Sequence, residues 1–217
     1  MTAARVTLTG YCHSVYSRAA RIALLEKRVD FDWCEVDPFA DPTRARAVHP
    51  FGRVPVLTHG GFALYETAAI TAYVDAAFPG PALSPLQPQV LARMVQVIGL
   101  CDSYLYWPLV RQVYAHRVFR PAFGEPSCDQ TARAGLAEAS RILAALEALA
   151  ADGAVLSGAI TRADCHLAPM IAAFVQVPEG WDMLARFPAL SAWWAGTACQ
   201  PCLRGTETPL PKTGHGG

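Results

Sequence analysis

Six side chains that could take part in chemistry lie close together between a β-rich run and a helical stretch: Tyr11, Cys12, His13, Ser14, Tyr16 and Ser17. A free thiol with a pKa near ~8.5 is only ~3% thiolate at pH 7, so making it mostly thiolate takes about 2.7 kcal/mol. A hydroxyl hydrogen bond to the thiolate supplies ~1.5–3 kcal/mol, and a helix N-terminus adds ~0.3–1 kcal/mol. A serine or tyrosine here could therefore activate a bound thiol, whereas Cys12 could form a mixed disulfide with it. His13 is interpreted as a solvated loop histidine.

Two dipeptides further along the chain have features of a ligand site. Val54-Pro55 lies between a loop and a β-rich run, where an X-Pro bond can be cis at low cost. A cis bond would turn the N–H and C=O of Val54 outward to pair with an extended peptide; the alternative is a trans-proline that starts an edge strand. Glu66-Thr67 opens a helix, whose free N–H groups suit a carboxylate. Thr67 could add its hydroxyl and Glu66 could hold an ammonium group, unless the pair is an ordinary cap.

Aromatic and cysteine patterns in the second half of the chain are less specific. Tyr104, Trp107 and Arg111 share one face of a predicted α-helix, which is typical either of a pocket wall or of core packing. Cys199 and Cys202 form a CxxC that follows a helix rather than a strand, and no second pair with zinc spacing accompanies it. We interpret the two cysteines as incidental and predict no metal site.

The elements that would position these residues change character near residue 80. Before it, the pattern is strand, helix, strand, a loop over residues 40–46, a hairpin and a helix, which predicts a small mixed sheet with flanking helices. A run of four prolines then predicts a linker. After the linker only helical periodicity remains, over residues 89–119, 127–151, 161–175 and 189–198, and Thr161 with Asp164 fits a capping box.

This organisation predicts two domains. An α/β domain spans residues 1–79, a proline-rich linker 80–88, an all-α domain 89–205 and a flexible tail 206–217. The chain of 217 residues carries 18 basic and 18 acidic side chains, so a polyanionic partner such as nucleic acid is not expected. No apolar leader or stretch of roughly 20 apolar residues is visible, so no membrane association is expected either. Seven cysteines, odd in number and scattered, favour reduced thiols and a cytoplasmic location.

Together these segments resemble the glutathione S-transferase family, with a thioredoxin-like first domain and a helical second one. The resemblance spans almost the whole chain and is carried, in order, by residues 14–18 ahead of 21–27, 49–57, 64–70 and 159–164. Counted back from the helical segment, Ser14 falls on the active position of the serine-type classes. The resemblance implies that Ser14 donates to the sulfur of glutathione, the co-substrate, whose thiolate then attacks a small hydrophobic electrophile, as in detoxification enzymes.

The resemblance also implies where glutathione and the electrophile would bind. Arg53, Val54, Pro55, Glu66 and Thr67 would hold glutathione, with Thr67 in place of the usual serine. The pocket for the electrophile would include Tyr11, Tyr104, Trp107 and Arg111, and Asp102 could reach the glutathione ammonium group across a dimer interface. The residue that holds the glycyl carboxylate is open among Arg53 and the arginines of residues 40–46.

Other functions on the same fold stay open from the sequence. They are a glutathione-dependent isomerase, dehalogenase or thiol reductase, or a non-catalytic binding or assembly protein. The hydrophobic fraction of 53% is high for a monomer of this size. An apolar electrophile pocket and a homodimer interface would account for the excess.

Overall fold

Four short strands form one mixed sheet in the first third of the chain. The computed structural model describes residues 4–211, and the strands are β1 (Val6–Gly10), β2 (Asp32–Glu35), β3 (Val56–His59) and β4 (Phe62–Tyr65), in the order β2-β1-β3-β4. β1 pairs in parallel with β2 and antiparallel with β3, and β3 pairs antiparallel with β4. The predicted hairpin is confirmed, with Gly60 at φ 59° in its turn.

Three helices accompany this sheet: α1 (Val15–Glu26), α2 (Pro42–Val48) and α3 (Thr67–Ala77). The small apolar residues of α1, such as Ala20 and Ile22, are completely buried against the core. The prediction of a loop over residues 40–46 is wrong, because α2 occupies most of it. Asp41 caps α2 by accepting the N–H of Arg44 at 2.9 Å, and Pro42 follows at the first helical position. Asp-Pro is a helix-start signal that the loop interpretation overlooked.

The remainder of the described chain is helical, as predicted. The helices are α4 (Pro88–Leu100), a π helix (Cys101–Phe119), α5 (Arg120–Ala122), α6 (Asp129–Ala151), α7 (Arg162–Phe174), α8 (Pro178–Leu184), α9 (Pro188–Thr197) and α10 (Pro201–Arg204). The sequence did not predict α5, α8 and α10, which are short; α8 and α10 begin with a proline, which fits the first turn of a helix. The thioredoxin-like sheet followed by a helical bundle confirms the predicted fold class.

The capping box at the start of α7 is also confirmed. The Thr161 N–H donates to Asp164 Oδ2 at 2.8 Å, and the Trp193 indole N–H donates to Asp164 Oδ1 at 2.6 Å. Asp164 is nearly fully buried, and burial raises the pKa of its carboxyl. Its hydrogen bonds therefore join α7 to α9 in the interior of the helical part.

Polar contacts and a shared core connect the two parts of the chain. Leu8 and Ile22 belong to the same buried hydrophobic cluster as Met94 and Leu105. Asp75 accepts the backbone N–H of Leu83 in the linker at 2.8 Å and pairs with Lys27 at 3.4 Å. These contacts fix the linker against α1 and α3. The division into two domains stays a prediction.

The C-terminal segment packs against α1 at its start. Thr206 is buried, and its hydroxyl accepts the Nε–H of Arg18 at 3.0 Å. Residues 212–217 of the predicted flexible tail lie outside the described residues. In residues 4–211 all seven cysteines are free thiols, and no helix there is long and apolar enough to cross a membrane.

Candidate active site

The ends of three strands meet at one edge of the sheet. β1 and β4 end there and β3 begins there, because Thr9 pairs with Val56 and Val56 pairs with Tyr65. Extending these registers by two residues places the start of the loop after Gly10, the dipeptide before Val56 and the helix start after Tyr65 side by side. Sequence signals that lie up to about 50 positions apart, such as those at Ser14 and Glu66, are therefore neighbours in the fold.

A cleft of about 590 Å³ opens at this edge, between the sheet and the π helix. Its sheet side includes Tyr11, Ser14 and Val54, and its helical side includes Trp107 and Arg111. The cleft is large enough for a peptide-sized ligand together with a second small molecule.

Ser14 lies at the start of α1 in this cleft, and its O–H has no acceptor among residues 4–211. It is the N-cap residue, in extended conformation, and its Oγ accepts the backbone N–H of Ser17 at 3.2 Å. Its own N–H donates to the carbonyl of Tyr11 at 2.9 Å, which closes the turn. Because a hydroxyl has one proton and two acceptor sites, capping leaves the proton available to a ligand. The positive end of the α1 dipole favours an anion at the same place.

Two alternatives to Ser14 occupy different environments. Ser17 is completely buried, and its Oγ accepts the N–H of Tyr11 at 3.2 Å. It packs so tightly below β1 that a Cβ at Gly10 would lie 2.8 Å from its oxygen. Tyr16 lines the cleft beside Tyr106, with their ring centroids 4.9 Å apart, and burial raises the pKa of its phenol. Tyr16 is therefore a neutral donor on the cleft wall, whereas Ser17 does not reach the cleft.

Cys12 lies outside this cleft and in an environment that disfavours the thiolate. Burial, the hydrogen bond to Glu35 and the negative charge of Glu35 raise the pKa of the Cys12 thiol to about 11. The cysteine lines a separate recess of about 50 Å³, which Ser14 also lines.

His13 is not the solvated histidine that the sequence suggested. Its ring packs edge-on against Tyr11, Phe119 and Phe123, with centroid distances of 5.4 to 5.6 Å. Burial lowers the pKa of its imidazole, so the ring is neutral at pH 7. It forms part of an aromatic wall of the cleft.

The peptide bond between Val54 and Pro55 is cis, which confirms the prediction. Val54 lines the cleft, whereas Pro55 is buried beneath it. Within residues 4–211 neither the N–H nor the C=O of Val54 has a hydrogen-bonding partner. This residue therefore offers one donor and one acceptor to an extended ligand.

Glu66 and Thr67 follow β4 directly, opposite Pro55 and Val54 in the extended register. Glu66 is exposed and has φ 69°, a conformation uncommon for residues with a side chain and frequent at ligand sites. Its side chain does not cap α3, so its carboxylate stays available. Thr67 is buried at the first position of α3, where backbone N–H groups are free.

The arginines considered for a carboxylate group occupy three different positions. Arg53 is exposed and lines the cleft. The side chain of Arg46 packs over Gly52, and Arg44 contacts the sulfur of Cys34 at 3.2 Å. Burial lowers the pKa of His49, and both Glu66 and Arg53 lie close enough to it to act on that pKa. Arg53 and Glu66 thus both lie near His49, at the end of the sheet where the cleft opens.

The helical wall differs from the predicted stripe. Trp107 and Arg111 line the cleft, but Tyr104 does not and is 59% exposed, which corrects the expectation for this residue. The reason is the π-type bonding, in which each N–H donates five residues back and each turn holds more than four residues. The residues of this helix that line the cleft are Asp102, Tyr106, Trp107, Val110, Arg111, Tyr114, Ala115 and Phe119.

Phe39 is a cleft residue that the sequence did not indicate. It lies in the loop after β2, and the guanidinium of Arg111 sits 5.6 Å from its ring centroid. Its ring also meets Tyr11 edge-on at 6.5 Å. No periodicity or motif marks a single loop aromatic, so only the packing could reveal its role.

The described chain combines a thioredoxin-like sheet, a cis-proline before β3, a serine hydroxyl at the start of the first helix and a bundle of further helices. Family models described as "Glutathione S-transferase, N-terminal domain" and "Glutathione S-transferase, C-terminal domain" match residues 8–82 and 129–195. The chain belongs to the glutathione S-transferase family, as the resemblance implied.

Individual relatives agree with this assignment over most of their length. The chain is 25% identical to glutathione S-transferase 3 of Zea mays over 192 residues, or 87% of this chain and 86% of that protein. It shares 26% identity and a TM-score of 0.79 with the theta class glutathione S-transferase of Xanthomonas axonopodis pv. citri, solved with glutathione bound, over 95% and 99% of the two chains. Glutathione S-transferase III in its apo form has a TM-score of 0.81 at 24% identity, over 96% and 100%.

Proposed function

We propose that this glutathione transferase uses the hydroxyl of Ser14 to hold glutathione as a thiolate, which then attacks a small hydrophobic electrophile. One observation carries the proposal. The Ser14 oxygen lies at the cleft and already accepts the Ser17 N–H, which leaves its own proton available to a ligand there. The thiolate would receive this O–H at the positive end of α1, and no general base is required.

The binding of glutathione itself is supported by the register at the sheet edge. The free N–H and C=O of Val54, held beside Pro55, would pair with the backbone of the cysteinyl residue. Thr67 and the free N–H groups of α3 would bind the γ-glutamyl carboxylate, and Glu66 would bind the ammonium group. Arg53, which is exposed at the cleft, would pair with the glycyl carboxylate.

The electrophile would occupy the aromatic half of the cleft. We assign Tyr11, Trp107 and Arg111 to its walls, together with Phe39, and we leave Tyr104 out because it lies outside the cleft. An apolar pocket beside a bound thiolate excludes water and raises the effective concentration of an apolar substrate.

Assembly and location complete the proposal. Exposed large apolar side chains such as Phe51, which is 72% exposed, support a homodimer. Size-exclusion chromatography with light scattering tests this, and a monomer at micromolar concentration would contradict it. We further propose that the two domains meet at residues 80–88 and that the protein acts in the cytoplasm, in keeping with its free thiols.

The decisive experiment combines binding and activity. The chain should bind immobilised glutathione and gain thermal stability at millimolar glutathione. It should also conjugate a chlorodinitrobenzene-type substrate, and Ser14→Ala should lose this activity while Cys12→Ala keeps it. If only Cys12→Ala were inactive, the protein would be a thiol reductase. If glutathione neither bound nor stabilised the chain, a non-catalytic function would replace the proposal.

A further inference from the structure

Glu35 makes contacts that the proposed transfer reaction does not use. It is the last residue of β2 and pairs with Gly10 at the end of β1. One carboxylate oxygen accepts the backbone N–H of Cys12 at 2.9 Å, and the other accepts the indole N–H of Trp33 at 2.7 Å. The carboxylate thus lies directly beside the loop that carries Ser14.

Cys12 is a second thiol close to the proposed position of the glutathione sulfur. It lines the recess of about 50 Å³ whose other borders include His13 and Ser14, and these two residues also line the main cleft. A thiolate on Cys12 could therefore react with electrophiles or disulfides that enter the site. Such a thiolate would compete with bound glutathione for the same molecules.

The groups around Cys12 come from several elements. Tyr11 and His13 flank it on the loop, Glu35 approaches from β2, and the Arg21 guanidinium approaches from α1 and lies 5.1 Å from the Trp33 ring centroid. Arg21 is cationic and would favour a thiolate, as would Arg18, which lines the same recess as Cys12. Burial is the largest cause of the raised pKa of the Cys12 thiol, and the carboxylate of Glu35, which accepts the Cys12 N–H, adds to it.

We propose that Glu35 is a specificity-determining residue whose carboxylate, held beside Cys12, suppresses the reactivity of that thiol, so that bound glutathione and not the protein's own cysteine is the nucleophile. The inference rests on the proposed function for its consequence, but the suppression of Cys12 can be measured without glutathione. Glutamine is the informative replacement because its carbonyl can still accept the Cys12 N–H while the negative charge is removed.

Alkylation of Cys12 by iodoacetamide, followed by peptide mass spectrometry, tests the proposal at pH 7.5. For each unit by which a thiol pKa falls, the thiolate fraction rises about tenfold and its nucleophilicity falls about threefold, for a net gain of roughly threefold. We therefore expect faster alkylation of Cys12 in Glu35→Gln, by about threefold for a pKa that falls by one unit. An unchanged rate would overturn the proposal.

A matched control removes a neighbouring charge that does not touch Cys12. The carboxylate of Asp37 accepts the N–H of Phe39 at 2.8 Å, so Asp37→Asn alters the loop after β2 and should leave the Cys12 rate unchanged. An equal acceleration in both variants would contradict a specific role of Glu35. The fully buried Cys101 and Cys165 report on folding and should stay unlabelled in both.

The wild-type protein provides a test that does not depend on the variant. Its Cys12 alkylation rate should rise continuously from pH 7 to pH 10, and a plateau below pH 9 would overturn the proposal.

Glutathione disulfide provides a second readout of the same property. The Cys12 thiolate would attack one sulfur, the disulfide bond would break, a glutathione thiolate would leave, and a Cys12–glutathione disulfide would form. Glu35→Gln should form this mixed disulfide at Cys12 faster than the wild type does. The added glutathionyl group should be removed by dithiothreitol. The alkylation difference does not require glutathione to bind. A failure of the proposed function can therefore be told apart from a failure of this inference.

Discussion

Replacing Ser14 with alanine tests the central chemical step. The variant keeps the backbone turn that Ser14 N–H and Tyr11 C=O close, but it loses the hydroxyl that we assign to the glutathione thiolate. It also loses the N-cap acceptor for Ser17 N–H. The substitution therefore has a catalytic and a structural consequence, and these must be separated.

The catalytic effect follows from the strength of the lost hydrogen bond. A hydrogen bond to a charged group contributes about 1.5–3 kcal/mol, which corresponds to roughly one to two pKa units. Without it, the pKa of the bound thiol rises by that amount. At a pH below both pKa values the thiolate fraction should fall about 10- to 100-fold. Because nucleophilicity rises about threefold per unit of thiol pKa, kcat/KM should fall about 3- to 10-fold. The loss should shrink as the pH rises toward the new pKa.

The assay is the pH profile of kcat/KM, with the ultraviolet absorbance of the bound thiolate as a direct titration. Asp41→Ala is the matched control, because Asp41 caps α2 through Arg44 N–H and does not line the cleft. Both substitutions should cost about 1 kcal/mol of stability as lost N-caps. Only Ser14→Ala should shift the thiol titration. Superimposable pH profiles for wild type and Ser14→Ala would refute the role of Ser14.

Three further predictions concern ligand binding and stability. Thr67→Val should weaken glutathione binding by about 1.5 kcal/mol, a roughly tenfold rise in Kd measurable by calorimetry, with kcat largely unchanged. Trp107→Ala should raise the KM for an aromatic electrophile roughly fivefold, for a loss of about 1 kcal/mol, without changing the KM for glutathione. Asp75→Asn should destabilise the protein by about 3 kcal/mol at pH 7, because it leaves the buried Lys27 ammonium unpaired. Burial opposes ionisation of Asp75, but hydrogen bonds from Leu83 and Lys27 outweigh it and place the folded pKa below the ordinary 3.8. The difference from wild type should therefore persist at neutral pH and disappear only as the pH falls through that lower value; a difference independent of pH down to 2 would contradict this.

Local features allowed much of the fold to be predicted. The hairpin around Gly60, the helix at Thr67 and the capping box of Thr161 with Asp164 all depend on neighbours in sequence, and the structure has all three. The same holds for the cis bond before Pro55, which the family motif indicated. The short helix α2 escaped prediction because its seven residues carry little periodicity, although its Asp-Pro start was visible.

The site depended more on tertiary structure. The sequence alone determined which motifs are present, because a hydroxyl at a helix start or a proline before a strand is defined by adjacent residues. It could not determine that Tyr104 faces away from the cleft, since the π-type bonding of its helix changes the spacing of each face. Nor could it show that Glu35 contacts the Cys12 backbone, because a parallel pair of strands brings together residues more than 20 positions apart. The reactivity of a side chain depends on such distant neighbours through charge and burial, which only the folded chain specifies.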